Sequence, residues 1–170
     1  MTSTESTAPG PGPAAPRPGQ ADPSALAGLA GLSGLELIRA IRDAKTPPPN
    51  IAGLLGMELV EADEGSAVFT VDARAEFSNP LGTVHGGIAA TLLDSAMGCA
   101  VHTTLPAGVG YTTLELKINY ITAIRLDAGR LTCTGSVIHV GGRVATAEGR
   151  LTDAAGRLLA HGTTTCLIFR

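Results

Sequence analysis

Tryptophan is absent and aromatic residues make up only 3% of the 170-residue chain. Any core must therefore be aliphatic. Basic charge is also in short supply. A net charge of −3 and a pI near 5.7 argue against a nucleic-acid partner, although a few local cations would still suffice for a phosphorylated ligand. Cysteine appears three times, at Cys99, Cys133 and Cys166, with no ligand-like spacing. An odd count at apolar-patterned positions reads as reduced, buried thiols of a cytoplasmic protein. None of the three has a neighbouring His or a helix N-terminus to lower its pKa, which disfavours a cysteine nucleophile. The histidines and acids are scattered, so no metal site is expected. The opening Met-Thr-Ser-Thr-Glu lacks the basic and apolar regions of a signal peptide. No uninterrupted apolar run is long enough to span a membrane, so no membrane association is expected.

What is present falls into three parts. Residues 1–24 are rich in Pro, Gly, Ala, Ser and Thr and read as a disordered tail, because such a composition buries too little surface to offset its ordering entropy. Residues 25–50 form a helical segment and a Pro-rich linker. Ser33 is the expected N-cap, Glu36 its capping-box partner, and Leu35, Ile38 and Ile41 recur at helical spacing before Pro47-Pro48-Pro49. The glycines ahead of Ser33 lack the Lys-Ser/Thr and preceding strand of a phosphate-binding loop. Residues 51–170 carry the main domain.

Within that domain a hairpin is expected first, with strands at Met57–Ala62 and Ala67–Val71 about a Glu64-Gly65 turn. The loop Ala73–Thr83 leads to a helix that is apolar on almost every face, from Ile88 to Ala100. Four further strands follow, at Tyr111–Ile121, Arg130–Val140, Val144–Leu151 and Leu158–Ile168. In the first of these, strict alternation would put Leu114, Leu116, Ile118 and Tyr120 on one face and Thr113, Glu115, Lys117 and Asn119 on the other. One long buried helix with a run of antiparallel strands makes an α+β domain.

Asp94 does not belong in such a helix. An ionised carboxylate away from water is costly unless it is paired or put to use. Pairing alone would be the ordinary explanation, but its setting favours chemistry. The helix begins at Gly86-Gly87, where bare N–H groups sit at a positive dipole end open to a ligand. With the polar Asn79 upstream, this is an acyl-transfer kit that lacks a nucleophilic Ser or Cys.

The set Asn79, His85-Gly86-Gly87, Asp94, Gly98 and Ala100 resembles the hotdog-fold acyl-CoA thioesterases of the phenylacetate-pathway type, over Ile51–Phe169. The resemblance implies a hotdog fold, a curved antiparallel sheet wrapped around one long central helix. It also implies hydrolysis of an acyl-CoA thioester, with coenzyme A as part of the substrate and no separate cofactor. Asp94 would then be general base or nucleophile, and the Gly86 N–H the oxyanion donor. Asn79 would help fix the thioester oxygen, and His85 would shape the loop. Thr113 matches the family's water-orienting hydroxyl, with an ordinary strand Thr as the alternative. Gly87, Arg125 and Arg143 are candidates for holding coenzyme A. His139, His102 and His161 read as structural.

Gly86 and Asp94 are eight residues apart on one helix, about 12 Å along its axis. One thioester carbon needs both groups within about 3 Å of the reacting atoms, so the hydrolase reading requires a homodimer with shared active sites. The resemblance implies the same, commonly with further pairing to a homotetramer. Two competitors remain. A hotdog hydratase or dehydratase would use a His–Glu or Asp–His pair on a different loop pattern, whereas here two glycines follow His85 and Glu is missing from the matching helix position. A non-catalytic acyl-CoA-binding module would leave Asp94 without a purpose.

Overall fold

The computed structural model describes residues 31–44 and 50–169. The expected tail at 1–24, the glycines up to Ala30 and the Pro47–Pro49 stop lie outside the described residues. The first helix, α1 (Gly34–Arg42), starts at Ser33 with the anticipated capping box. The Glu36 N–H donates to Ser33 Oγ (3.3 Å), and the Ser33 N–H donates to Glu36 Oε2 (2.8 Å). A short helix α2 (Asn50–Leu55) follows where no helix was expected. Six residues flanked by prolines and Gly56 carry too little periodicity to announce one.

The strands are β1 (Glu58–Asp63), β2 (Ser66–Asp72), β3 (Gly110–Tyr120), β4 (Arg130–Val140), β5 (Val144–Thr152) and β6 (Leu158–Phe169). All pair antiparallel in one sheet of order β1-β2-β4-β5-β6-β3. The central helix α3 (Gly86–His102) packs against five of these strands. This is the hotdog arrangement, an α+β fold. Its core is mainly aliphatic, in keeping with the scarcity of aromatics: Leu92, Leu93, Met97, Leu131 and Leu151 have no exposed surface, and Phe69 and Phe77 are the aromatic members among the described buried residues.

Two glycines let the helix sit close. Gly135 on β4 and Gly149 on β5 are directly paired across the sheet. A Cβ at Gly135 would collide with the Ala96 carbonyl group, and one at Gly149 would lie 2.9 Å from Leu93 Cδ2. Sequence reasoning gave neither glycine a role, because nothing local marks a strand glycine as a helix seat.

The edge strand β3 departs from strict alternation. A bulge between Thr113 and Glu115 leaves Leu114 as the extra residue opposite β6. Thr113 pairs with the buried Cys166, and Leu116 with the buried Thr164. Thr113 and Leu116 therefore share the inner face although three residues apart, and Leu114 is turned out, 58% exposed. The expected grouping of Leu114 with Leu116, and of Thr113 with Glu115, is corrected accordingly. The added residue shifts the period-2 phase by one, which alternation alone cannot show.

Candidate active site

The loop leading into α3 is built by Asn79. Its Oδ1 accepts from the N–H groups of Leu81 (2.9 Å) and Thr83 (3.2 Å), and its Nδ2 donates to Thr83 Oγ1 (2.9 Å). This is an Asx-type closure that uses both carboxamide atoms and leaves the second Nδ2 proton for a ligand. The chain then reaches His85, the N-cap of α3. His85 Nδ1 accepts from the Gly87 N–H at 2.9 Å, so the ring shapes the helix start. The glycine pair is fitted to its neighbours. A Cβ at Gly87 would lie 2.9 Å from His85 Nδ1, and one at Gly86 would lie 3.1 Å from the Tyr120 hydroxyl oxygen. The Tyr120 hydroxyl donates to the Gly86 carbonyl (3.0 Å). Among the described residues no acceptor meets the Gly86 N–H, so the donor expected to face an oxyanion is unengaged.

Further along α3, Asp94 is half-buried. The helix is apolar on all but one face. Gly87, Thr91, Asp94 and Ser95 form a partly exposed stripe, because the sheet curves over only the other sides. Above the stripe runs β3. Tyr111 crosses it where Gly98 makes room: a Cβ there would meet the Tyr111 hydroxyl oxygen at 2.6 Å. Next to Tyr111 on the same face, Thr113 Oγ1 donates to Asp94 Oδ1 at 2.8 Å. The β3 bulge permits this contact while keeping Leu116 and Ile118 packed inward. Asp94 Oδ2 has no partner among the described residues and remains able to take a proton or attack.

The Asp94–Thr113 pair stands between two cavities. One, of about 420 Å³, is lined mostly by apolar side chains of α1, α2, β1 and β2. The other, of about 270 Å³, is more open and is bounded by Ala90, Thr91 and Leu116. Gly86 lines a third hollow, with Tyr120 and Ile121, and shares neither of the first two. Within one chain the structure thus joins Asp94 to Thr113 and keeps Gly86, Asn79 and His85 apart from them.

The two candidate arginines are not brought together. Arg125 pairs in bidentate fashion with Asp127 (2.7 Å for each bond), at the Gly86 end of the sheet, where it bridges Thr83. Arg143 lies in the exposed β4–β5 turn, and its carbonyl accepts from the Ile168 N–H. Ile168 pairs with Tyr111 at the start of β3, whereas Gly86 meets Tyr120 at its end, about 30 Å away along the strand.

Burial disfavours all three thiols as nucleophiles. Burial, aided by the Asp94 charge, pushes Cys99 up to about 12; burial alone does the same for Cys133. Burial also raises Cys166, and all three cysteines are free. His102 packs against Tyr111 in a tilted ring contact (centroids 5.3 Å apart, planes at 57°), and burial lowers its pKa.

A hotdog sheet whose edge strand β3 sets a hydroxyl on a carboxylate of the central helix, with an unengaged N–H at the helix start, defines the class of protein. The Thioesterase superfamily model matches residues 81–160. Human acyl-coenzyme A thioesterase 13 is 30% identical over 127 residues, covering 74% of this chain and 89% of that protein. The 1,4-dihydroxy-2-naphthoyl-CoA hydrolase of Listeria monocytogenes is 27% identical over 105 residues, covering 62% and 84%. The crystal structure of a phenylacetic acid degradation-related protein from Ralstonia eutropha JMP134 aligns with a TM-score of 0.70 at 30% identity, covering 76% and 98%. The chain belongs to the thioesterase superfamily, among its hotdog-fold members of the phenylacetate type, and thioester hydrolysis is the chemistry of that family.

Proposed function

We propose that the protein hydrolyses an acyl-CoA thioester to the free acid and coenzyme A. The observation that carries this is the Thr113–Asp94 hydrogen bond at the junction of the two cavities. A hydroxyl that fixes one carboxylate oxygen leaves the other aimed for chemistry. As general base, Asp94 takes a proton from water as the hydroxide adds to the thioester carbon. The negative charge moves to the carbonyl oxygen, and collapse breaks the C–S bond, releasing the thiolate, which picks up a proton. As nucleophile, Asp94 adds to the same carbon and expels the thiolate; water then opens the mixed anhydride. The same pair serves either route.

The oxyanion donor would come from a second copy. Gly86 N–H lies about 12 Å from Asp94 along α3 and opens into a different hollow, so facing antiparallel helices of a homodimer complete each site. The edge of β3 suits that pairing. It is eleven residues long and contains no proline, whereas the opposite edge, β1, is six residues long and carries Glu58, Glu61 and Asp63. Pairing of dimers into a homotetramer would follow on the remaining faces, with Arg125 and Arg143 offered to the coenzyme A phosphates. Both curated relatives above are named for coenzyme A thioesters, which favours hydrolysis over passive acyl-CoA binding. Among the described residues no helix is long and apolar enough to cross a membrane.

The test is release of free thiol from a panel of acyl-CoA thioesters by wild-type protein and by Asp94→Asn. Turnover should fall by roughly 10²-fold or more in the variant, the scale of a lost general base, with the oligomer intact. Near-normal turnover by a folded Asp94→Asn protein would remove Asp94 from the chemistry.

A further inference from the structure

The wall of the larger cavity is not built by the hotdog sheet alone. Helix α1 is held over the sheet by polar ties at both ends. At one end, the Gly34 N–H donates to the Leu105 carbonyl (2.9 Å), and Gly34 sits so close to His102 that a Cβ would strike its carbonyl. At the other, Arg39 donates to the Ala62 carbonyl (3.0 Å) and to Asp63 Oδ1 (2.8 Å). Between these ties the apolar stripe of α1 is not packed into the core. Ile38 is only 3% exposed yet stands outside the contiguous core cluster, and both it and Ile41 border the 420 Å³ cavity. Protein interiors hold few voids of this size, and a large apolar pocket with a few polar groups in its wall is where a ligand is first sought. Met57, Leu59 and Phe69 form the floor, and Asp94 and Thr113 stand in the wall. The more exposed lining residues, Arg42, Ala44, Ile51 and Glu58, mark the mouth.

We infer that this cavity holds the acyl chain of the substrate, that its occupant is a medium-length aliphatic chain, and that Ile41 of α1 and Ile51 of α2 set the length accepted. The inference rests on the hydrolase reading above and names its substrate class. A thioester carbon at Asp94 sends its acyl arm into the apolar cavity and leaves the sulfur side to the more open one. A methylene needs about the volume of one liquid water, about 30 Å³. Filled completely, the cavity would take about fourteen methylenes; because its mouth is open at Arg42, Ala44, Ile51 and Glu58, its walls suit a chain of about eight to twelve carbons, and a longer tail emerges at the mouth and gains nothing more. The apolar lining is mostly aliphatic, and among the described residues only Phe69 and Tyr111 offer it a ring face, which favours a chain over an aryl group. Each methylene buried should raise kcat/KM about fourfold until the lining ends.

The experiment compares kcat/KM for butyryl-, hexanoyl-, octanoyl-, decanoyl- and dodecanoyl-CoA with benzoyl- and phenylacetyl-CoA. It uses wild-type protein, Ile41→Trp and Ile51→Trp; the second site, 49% exposed, tolerates a large side chain without refolding. Expected are a rise of about fourfold per methylene to a plateau near decanoyl-CoA, and a loss on decanoyl-CoA at least tenfold greater than on butyryl-CoA in either variant. A flat profile, an aryl substrate tenfold better than decanoyl-CoA, or equal losses at all lengths would overturn it. If no thioester is hydrolysed, the hydrolase reading fails on its own, and calorimetry on Asp94→Asn decides the pocket. Decanoyl-CoA binding weakened at least tenfold by added Ile51→Trp supports the pocket; unchanged or absent binding overturns it.

Discussion

Replacing Gly86 by proline would remove one hydrogen-bond donor and little else. Gly86 is the first residue of α3, the helical position where proline is best tolerated because that N–H has no intrahelical acceptor. Proline also demands an extended residue before it, and His85 already has φ −60° and ψ 134°. The cost is steric: a Cβ would stand 3.1 Å from the Tyr120 hydroxyl oxygen, so that half-exposed ring must move by a few tenths of an ångström. Gly86→Ala adds the same carbon but keeps the N–H, so the ratio of the two variants isolates the donor. Loss of one oxyanion donor costs about 2.7–4 kcal/mol, or 10²- to 10³-fold in kcat. Gly86→Pro should fall below Gly86→Ala by that factor in thiol release, with an unchanged melting temperature. The same variant tests the shared site. Gly86→Pro and Asp94→Asn chains, unfolded and refolded together with distinct tags, should place both defects in one site of each mixed dimer and none in the other. About half the dimers are mixed, so roughly a quarter of wild-type activity should return. A Gly86→Pro protein as active as Gly86→Ala would refute the oxyanion assignment. No recovery despite confirmed mixed dimers would refute the two-chain site.

Three further outcomes are expected. Thr113→Ala should slow turnover by roughly tenfold, less than Asp94→Asn, because a water can replace the hydroxyl that holds Asp94 Oδ1; equal losses in kcat would make Thr113 the leading group. Gly135→Ala should cost at least about 1–3 kcal/mol, read as a melting temperature lower by several degrees, because its Cβ meets helix backbone that cannot yield. A melting temperature equal to wild type would mean that α3 is not seated as described. His102 should make the fold acid-sensitive. Burial lowers its folded pKa below 6.5, so the unfolded chain binds the proton more readily. Its contribution is fully present above about pH 6.5 and is lost as pH falls through the folded value. His102→Gln should flatten the fall in melting temperature between about pH 7 and 5; an unchanged slope would assign the acid sensitivity elsewhere.

Local sterics and periodicity determined a good deal of this protein from its sequence alone. The Ser33–Glu36 capping box, the β1–β2 hairpin about Gly65 and the strand Arg130–Val140 each depend on neighbours within a few residues, and each was legible there. Asp94 was legible as a misfit, because a carboxylate in an apolar helix needs a reason whatever surrounds it. Sheet register and packing between distant segments decided the rest. The bulge at Leu114 turns Thr113 toward Asp94, and its cause lies in pairing with β6, about fifty residues downstream. Gly135 and Gly149 became a helix seat only once β4 and β5 were paired beneath α3. The 420 Å³ cavity beside Asp94 exists because α1 is tied across β1 and the end of α3, an arrangement no local pattern encodes. Arg125 and Arg143, similar in sequence context, were carried to opposite ends of β3 by strand order, which arises from long-range pairing and not from any property of the arginines themselves.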